Sequence, residues 1–83
     1  MHHERPRKLI TTRVTYDRTK NIARILLTDY TDEDVARWKG LAEHDIEGEF
    51  TFGFDKGGRL LGVEVRFASQ GLPPDFLDDA DPV

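Results

Sequence analysis

Tyr16, Asp17 and Glu64 are the side chains in this sequence whose types are best suited to chemistry. A phenol and two carboxylates held on neighbouring strands can bind a ligand or transfer protons. If the strands pair as their patterns predict, we expect these three side chains to lie close together. The structural interpretation of Glu64, which the sequence favours, is an ion pair, because a carboxylate on a sheet surface often pairs with a nearby arginine. The arginines predicted on the same face are Arg13, Arg24 and Arg66.

His44 lies beside Asp45 in an acidic stretch that also holds Glu43, Glu47 and Glu49. Imidazole and carboxylate groups are side chains that bind transition metals or move protons. A metal motif also needs further ligands at a defined spacing, and the other histidines, at positions 2 and 3, are far away in the chain. We interpret the stretch as a solvated acidic loop and expect no metal site and no cofactor.

Motifs for nucleophilic catalysis are missing from the sequence. It has no cysteine, and its one serine, Ser69, is not part of a Gly-x-Ser-x-Gly turn. The glycines between positions 53 and 62 do not have a phosphate-binding spacing. The sequence therefore favours a protein without enzymatic activity. A small enzyme or ligand-binding domain with a site near Tyr16, Asp17 and Glu64 is the alternative.

The clearest structural pattern is a β-hairpin over residues 50–67. Two runs with apolar residues at every second position flank the turn Asp55-Lys56-Gly57-Gly58. The apolar positions are Phe50, Phe52 and Phe54, then Leu61, Val63, Val65 and Phe67. Asp55 is expected to accept the hydrogen bonds of the turn, and Gly58 to adopt a positive φ. Gly62 predicts a bulge or a close approach of another part of the chain.

Residues 9–16 and 22–27 predict two earlier strands with a turn between them. Residues 31–39 fit a two-turn helix that Thr31 caps, but an extended segment over 35–38 fits as well, and the sequence leaves helix or strand open. Trp38 is expected in the core against the phenylalanines, with a role as an interface anchor as the alternative. Two prolines predict a last helical turn over residues 73–77.

These elements predict an α+β domain. Its small antiparallel sheet has four strands, arranged as a meander of two hairpins, and one short helix covers part of one face. We interpret residues 1–8 as a basic flexible arm, 9–72 as the single domain and 73–83 as an acidic, solvated C-terminal tail. One short helix is thin cover for the apolar face of four strands. We therefore expect a homodimer, or a partner protein in place of the second copy.

Charge is distributed unevenly along the chain. Residues 1–20 carry six basic and two acidic side chains, whereas the whole chain has a net charge of −4. The basic arm suits phosphate groups, but the acidic remainder lacks exposed aromatic side chains between bases, so nucleic-acid contact through the arm is a third hypothesis. The lack of cysteine and of a long apolar run predicts a cytoplasmic protein with no membrane segment.

Two stretches of the sequence resemble the YuzE-like family of small bacterial domains of unknown function. One is Phe54-Asp55-Lys56-Gly57-Gly58-Arg59-Leu60-Leu61-Gly62-Val63-Glu64-Val65, and the other is Val14-Thr15-Tyr16-Asp17 with the apolar residues 22–27. The similarity extends from about Arg13 to Ser69, with a longer middle segment over residues 29–49. The positions that match the family motif are Asp55, Gly58, Gly62 and Glu64.

The resemblance implies a small α+β domain with an antiparallel meander and no assigned enzymatic activity. Some members of that family are encoded beside small toxin-like proteins, which implies an antitoxin-like or binding-partner role. The leading hypothesis is therefore a non-catalytic protein-interaction module with a toxin-like protein as its candidate partner.

Overall fold

The computed structural model describes residues 12–83, and the predicted arm at residues 1–8 lies outside them. Six strands are present in the described range: β1 (Arg13–Asp17), β2 (Ile22–Leu26), β3 (Arg37–Leu41), β4 (Glu49–Phe54), β5 (Leu60–Arg66) and β6 (Asp81–Pro82). Two short helices, α1 (Ala68–Gly71) and α2 (Pro74–Asp78), lie between β5 and β6. The protein therefore has an α+β fold with little helix.

The six strands form one sheet in the order β3-β4-β5-β2-β1-β6. Neighbouring strands are antiparallel except β1 and β6, which are parallel. The four predicted strands are the central ones and form the hairpins β1–β2 and β4–β5. The predicted meander was wrong, because β2 pairs with β5 and not with β4, and two short helices stand in place of the one predicted. The predicted strand number was wrong, because β3 and β6 add one strand at each edge. Neither edge strand shows a strand pattern of its own: β3 follows a helix-capping signal, and β6 has two residues, one of them a proline.

Asp55 closes the turn between β4 and β5, as predicted. Its Oδ1 accepts hydrogen bonds of 2.9 Å from the backbone N–H groups of Gly57 and Arg59. Gly58 has a φ of +85°, a conformation that other residues rarely adopt. The strand register shifts beside Gly62, where Leu61 is the additional residue of a bulge. The local chemistry of the turn therefore fixes the pairing of β4 with β5.

Residues 31–39 do not form a two-turn helix. Only Asp32–Asp34 form a 3₁₀ turn, and the chain then becomes extended and enters β3. The Asp34 carboxylate accepts a hydrogen bond of 2.8 Å from the backbone N–H of Thr31, so the capping signal acts over a single turn. Three successive acids with no base in the last turn give a longer helix no support at its C-terminal end. The extended alternative for this segment is therefore confirmed.

The core lies between one face of the sheet and the C-terminal helices. Its buried side chains are Tyr16, Ala23, Val65, Ala68 and Leu77. The first three are cross-strand neighbours on β1, β2 and β5, and the other two come from α1 and α2. The predicted helical turn after the prolines is confirmed as α2. In the predicted solvated tail, residues 73–83, all side chains except Leu77 and Ala80 are exposed, but the buried Leu77 and the Val83 N–H, which donates to the Tyr16 carbonyl oxygen at 3.2 Å, hold the segment on the sheet.

Asn21 ties the turn between β1 and β2 to α1. It has a φ of +58°, and its Oδ1 accepts hydrogen bonds from the Tyr16 hydroxyl at 3.0 Å and the Ser69 backbone N–H at 2.9 Å. Its Nδ2 donates to Ser69 Oγ at 3.0 Å, and its carbonyl oxygen accepts from the Ala68 N–H at 3.1 Å. One turn residue thus determines where the C-terminal part of the chain docks on the sheet.

Gly58→Val is expected to lower the free energy of unfolding by about 1–3 kcal/mol, because a β-branched residue resists a positive φ. Urea denaturation measures the loss. Gly57→Val is the matched control, since Gly57 is in the same turn and does not have a positive φ. Equal stability of the two variants would contradict the assignment of the turn.

Asn21→Gly keeps access to a positive φ but removes three side-chain hydrogen bonds. We expect a loss of about 1–3 kcal/mol in the free energy of unfolding, because polar groups of Tyr16 and Ser69 lose their hydrogen-bond partner. Asn21→Asp is the control, because its carboxylate still accepts from both donors, and it should lose less. A glycine variant as stable as the unmodified protein would show that Asn21 does not hold α1 in place.

Candidate functional site

The polar face of the sheet is the face opposite the core. Its central row, in order across the sheet, consists of Thr15, Arg24, Glu64 and Thr51, which are direct cross-strand partners on β1, β2, β5 and β4. Each of these side chains is only half-buried. Alternation along the strands places them here, because their neighbours in sequence point to the core.

Arg24 and Glu64 form an ion pair at the centre of the polar face. Arg24 Nε lies 3.1 Å from Glu64 Oε2, and Arg24 Nη2 lies 3.2 Å from Asp32 Oδ1. Burial by itself would lower the pKa of Arg24, but the hydrogen bond and charge of Glu64, together with Asp32, raise the pKa overall. The guanidinium therefore stays charged and is shared between two carboxylates. Of the arginines predicted to pair with Glu64, the structure selects Arg24.

Asp17 and Glu64 line one open hollow on the polar face, with a volume of about 270 Å³. The other lining residues are Thr15, Lys20, Ile22, Arg24 and Val83. Asp17 Oδ1 also accepts a hydrogen bond from the Lys20 backbone N–H at 3.1 Å. Both carboxylates that line the hollow therefore already bind groups of the same chain.

Tyr16 lies on the other side of the sheet from Asp17 and Glu64. It is 7% exposed, packs in the core, and donates its hydroxyl hydrogen to Asn21. Adjacent residues of a strand point to opposite faces, so the expected grouping of these three side chains is wrong. The period-two pattern of β1 already contained this information.

Tyr30 is the residue of the polar face that sequence reasoning missed. A Cβ atom at position 62 would lie 2.6 Å from the Tyr30 hydroxyl oxygen and 2.5 Å from the Ile25 carbonyl oxygen. The close approach predicted at Gly62 is therefore confirmed, and Tyr30 occupies that space. The signal in the sequence was the glycine itself, which predicts a contact but does not name the partner.

Trp38 lies on the polar face and not in the core. It pairs with Gly53, where a Cβ atom would come within 3.0 Å of the indole ring, and it is 42% exposed. The prediction that it packs on the phenylalanines was wrong, because the register of β3 with β4 turns it to the opposite face. Its role as an interface anchor stays a prediction.

A larger open hollow of about 610 Å³ lies between residues 29–36 and the β4–β5 turn. Its acidic residues are Asp29, Glu33, Asp34 and Asp55. Two of these, Asp34 and Asp55, already accept hydrogen bonds from backbone N–H groups. Between residues 12 and 83, no group of three or more potential ligand side chains is arranged to hold a metal ion. His44 is exposed.

The charged side chains at the centre of the polar face, Arg24, Glu64 and Asp32, form ion pairs with one another. A general base needs an acceptor within reach of a substrate proton. Glu64 Oε2 already accepts a hydrogen bond from Arg24 Nε. In the part of the chain that the structure describes, no buried side-chain polar atom lacks a hydrogen-bond partner. The arrangement therefore stabilises the sheet and offers a charged surface.

A scan of the chain against protein-family models found no match, and neither did searches of the curated proteins and of the solved structures. The similarity to YuzE-like domains is thus a prediction from short motifs. No helix in residues 12–83 is long and apolar enough to cross a membrane. Function has to be inferred from the geometry of the fold.

Burial raises the pKa of Tyr30 above its ordinary value of 10.0, with Arg24 opposing the rise and Glu64 and Asp32 adding to it. Above pH 10 or so, the unfolded chain therefore loses this phenolic proton more readily than the folded protein. The contribution of the Tyr30 phenol to the free energy of unfolding is therefore complete below about pH 10 and declines as the pH rises through the raised pKa.

Tyr30→Phe removes this contribution. We expect its free energy of unfolding to fall less steeply than that of the unmodified protein above about pH 10, as measured by urea denaturation at a series of pH values. The other ionisable groups, including Tyr16, are present in both proteins and serve as the internal control. Parallel pH profiles would contradict the raised pKa.

Proposed function

We propose that this chain is a non-catalytic protein-interaction module that forms a homodimer through the apolar face of its sheet. That face is defined by Val14, Ile25, Val63 and Phe52, which form one cross-strand row on β1, β2, β5 and β4. Each of the four side chains points to the same side as the core.

A difference between two neighbouring rows carries the proposal. The row that contains Tyr16, Ala23 and Val65 is buried together with residues of α1 and α2. The apolar face lies two residues away from that row along the same strands. Its side chains are only half-buried, although Ile25 and Val63 lie on the central strands β2 and β5. Apolar side chains on the middle of a sheet need a covering layer. An apolar surface that the fold itself leaves partly open is typical of an interaction site.

The opposite side of the sheet supports the same proposal. Its charged groups pair with one another, and its hollow beside Glu64 is small and open, so a ligand-binding or catalytic role is less well supported. The resemblance to YuzE-like domains favours an antitoxin-like module, in which the apolar surface of a small toxin takes the place of the second copy. The lack of cysteine favours a reducing compartment such as a bacterial cytoplasm.

Phe52→Gln is expected to weaken the dimer while leaving the sheet intact. Each copy loses about 1.5–3 kcal/mol of apolar burial, and a two-fold interface contains the residue twice, so the dissociation constant should rise at least tenfold. Sedimentation equilibrium measures it, and circular dichroism confirms the fold. Thr51→Gln is the matched control, because Thr51 is equally half-buried on the same strand and faces the other side. Glutamine avoids a new charge opposite Lys39 or Glu64.

Native mass spectrometry of the protein purified gently from its own host identifies what covers the face. A homodimer that Phe52→Gln dissociates and Thr51→Gln preserves is the expected result. A stoichiometric complex with another protein, also sensitive to Phe52→Gln, would support the module with a different partner. A monomer without a partner in both experiments would contradict the proposal.

A further inference from the structure

β3 is an open edge of the sheet. It stands first in the strand order and, among residues 12–83, pairs only with β4. All five of its residues, Arg37–Leu41, are exposed. Within the described residues, no strand pairs with the backbone N–H and C=O groups on its outer side, which is the arrangement that another strand can extend. The sequence of the strand contains no proline that would prevent such pairing.

At the other edge of the sheet, the sequence of β6 disfavours the addition of a further strand. β6 is only two residues long, and its Pro82 has no N–H to donate. A short edge strand that contains proline is a common means of blocking further strand addition. The two edges therefore differ in their capacity for backbone pairing, and β3 is the edge that can accept a partner strand.

The side chains of β3 select the kind of strand that can pair with it. Arg37 and Lys39 point to one side of the sheet, and Trp38 points to the other. In the region from residue 12 to residue 83, neither base forms an ion pair. Two unpaired positive charges at alternate positions are complementary to a strand with carboxylates at alternate positions. The exposed ring of Trp38 offers an apolar contact on the opposite side.

We propose that β3 binds an extended acidic segment of a partner protein by strand addition. Its backbone would continue the sheet, its carboxylates would lie opposite Arg37 and Lys39, and an apolar side chain between them would contact Trp38. A second copy of β3 does not fit, because the register that overlaps the whole strand places Lys39 opposite the same residue of that copy. This inference adds a second surface to the proposed function and does not depend on dimerisation.

The probe is a short synthetic peptide that alternates valine and glutamate, and the control peptide alternates valine and lysine. Trp38 is the sole tryptophan of the chain, so its fluorescence reports binding at β3 directly. We expect the acidic peptide to bind at least about fivefold more tightly than the basic one, since two attractive contacts replace two repulsive ones. The preference should decrease with added salt.

The double variant Arg37→Glu, Lys39→Glu is expected to reverse the preference. Both positions are exposed, so the variant should fold, which circular dichroism checks. Hydrogen exchange on the unmodified protein is an independent readout that needs no variant: the acidic peptide should protect backbone amides within residues 37–41. Equal binding of both peptides, an unchanged preference in the double variant, or protection elsewhere on the chain would each overturn the proposal.

The same measurements on Val14→Gln separate this proposal from the proposed dimer. Val14 belongs to the apolar face but lies on β1, far across the sheet from β3, whereas Phe52 is the direct cross-strand partner of Lys39. Loss of the dimer in Val14→Gln should therefore leave the peptide preference unchanged. If Val14→Gln abolishes peptide binding, the acidic segment is bound at the apolar face and not at the edge, which would refute strand addition at β3.

Discussion

The fold depends on Gly62 and Gly53, two cross-strand partners at which the sheet has no side chains. β2 and β3 are consecutive in the chain, but β5 and β4 lie between them in the sheet. The connection therefore has to cross one face of the sheet. It crosses the polar face, where Asp32 contacts Arg24 and where Gly62 and Gly53 are direct cross-strand partners. Tyr30 and Trp38 occupy the space above these glycines. A side chain at position 62 would collide with Tyr30 and with the backbone of β2, so this glycine permits both the crossing and the pairing of the two hairpins.

Features that depend on a few neighbouring residues were predictable from the sequence. The turn at Asp55 and Gly58 and the final turn of α2 are set by local chemistry, and both are where the sequence predicts them. The sequence could not decide between helix and strand for β3. The capping signal at Thr31 and Asp34 is also local, whereas pairing with β4 and the contact of Trp38 with glycine depend on distant residues. Propensity is a weak guide where tertiary pairing competes with it.

Part of the candidate site was likewise predictable from the sequence, and part was not. The pairing of Glu64 with an arginine follows from strand alternation and cross-strand charge, and the sequence supplied Arg24 as one of three options. Tyr30 and Asp32 could not be placed, because the path of the connection across the polar face has no signature in its own residues. Together these contacts make the polar face a network that holds the connection in place. The apolar face and the edge at β3 are the two surfaces that we propose for partners.

The pairing of β2 with β5 also has a consequence for biosynthesis. β5 comes well after β2 in the chain, so the hairpin of β1 and β2 is synthesised first, and its inner edge and apolar side have no native partner until β5 has also left the ribosome. Pairing between distant segments is slow compared with hairpin closure. The hydrogen bonds between Asn21 and Ser69 form only at that later stage. During synthesis and folding the chain therefore exposes the apolar side of its first hairpin.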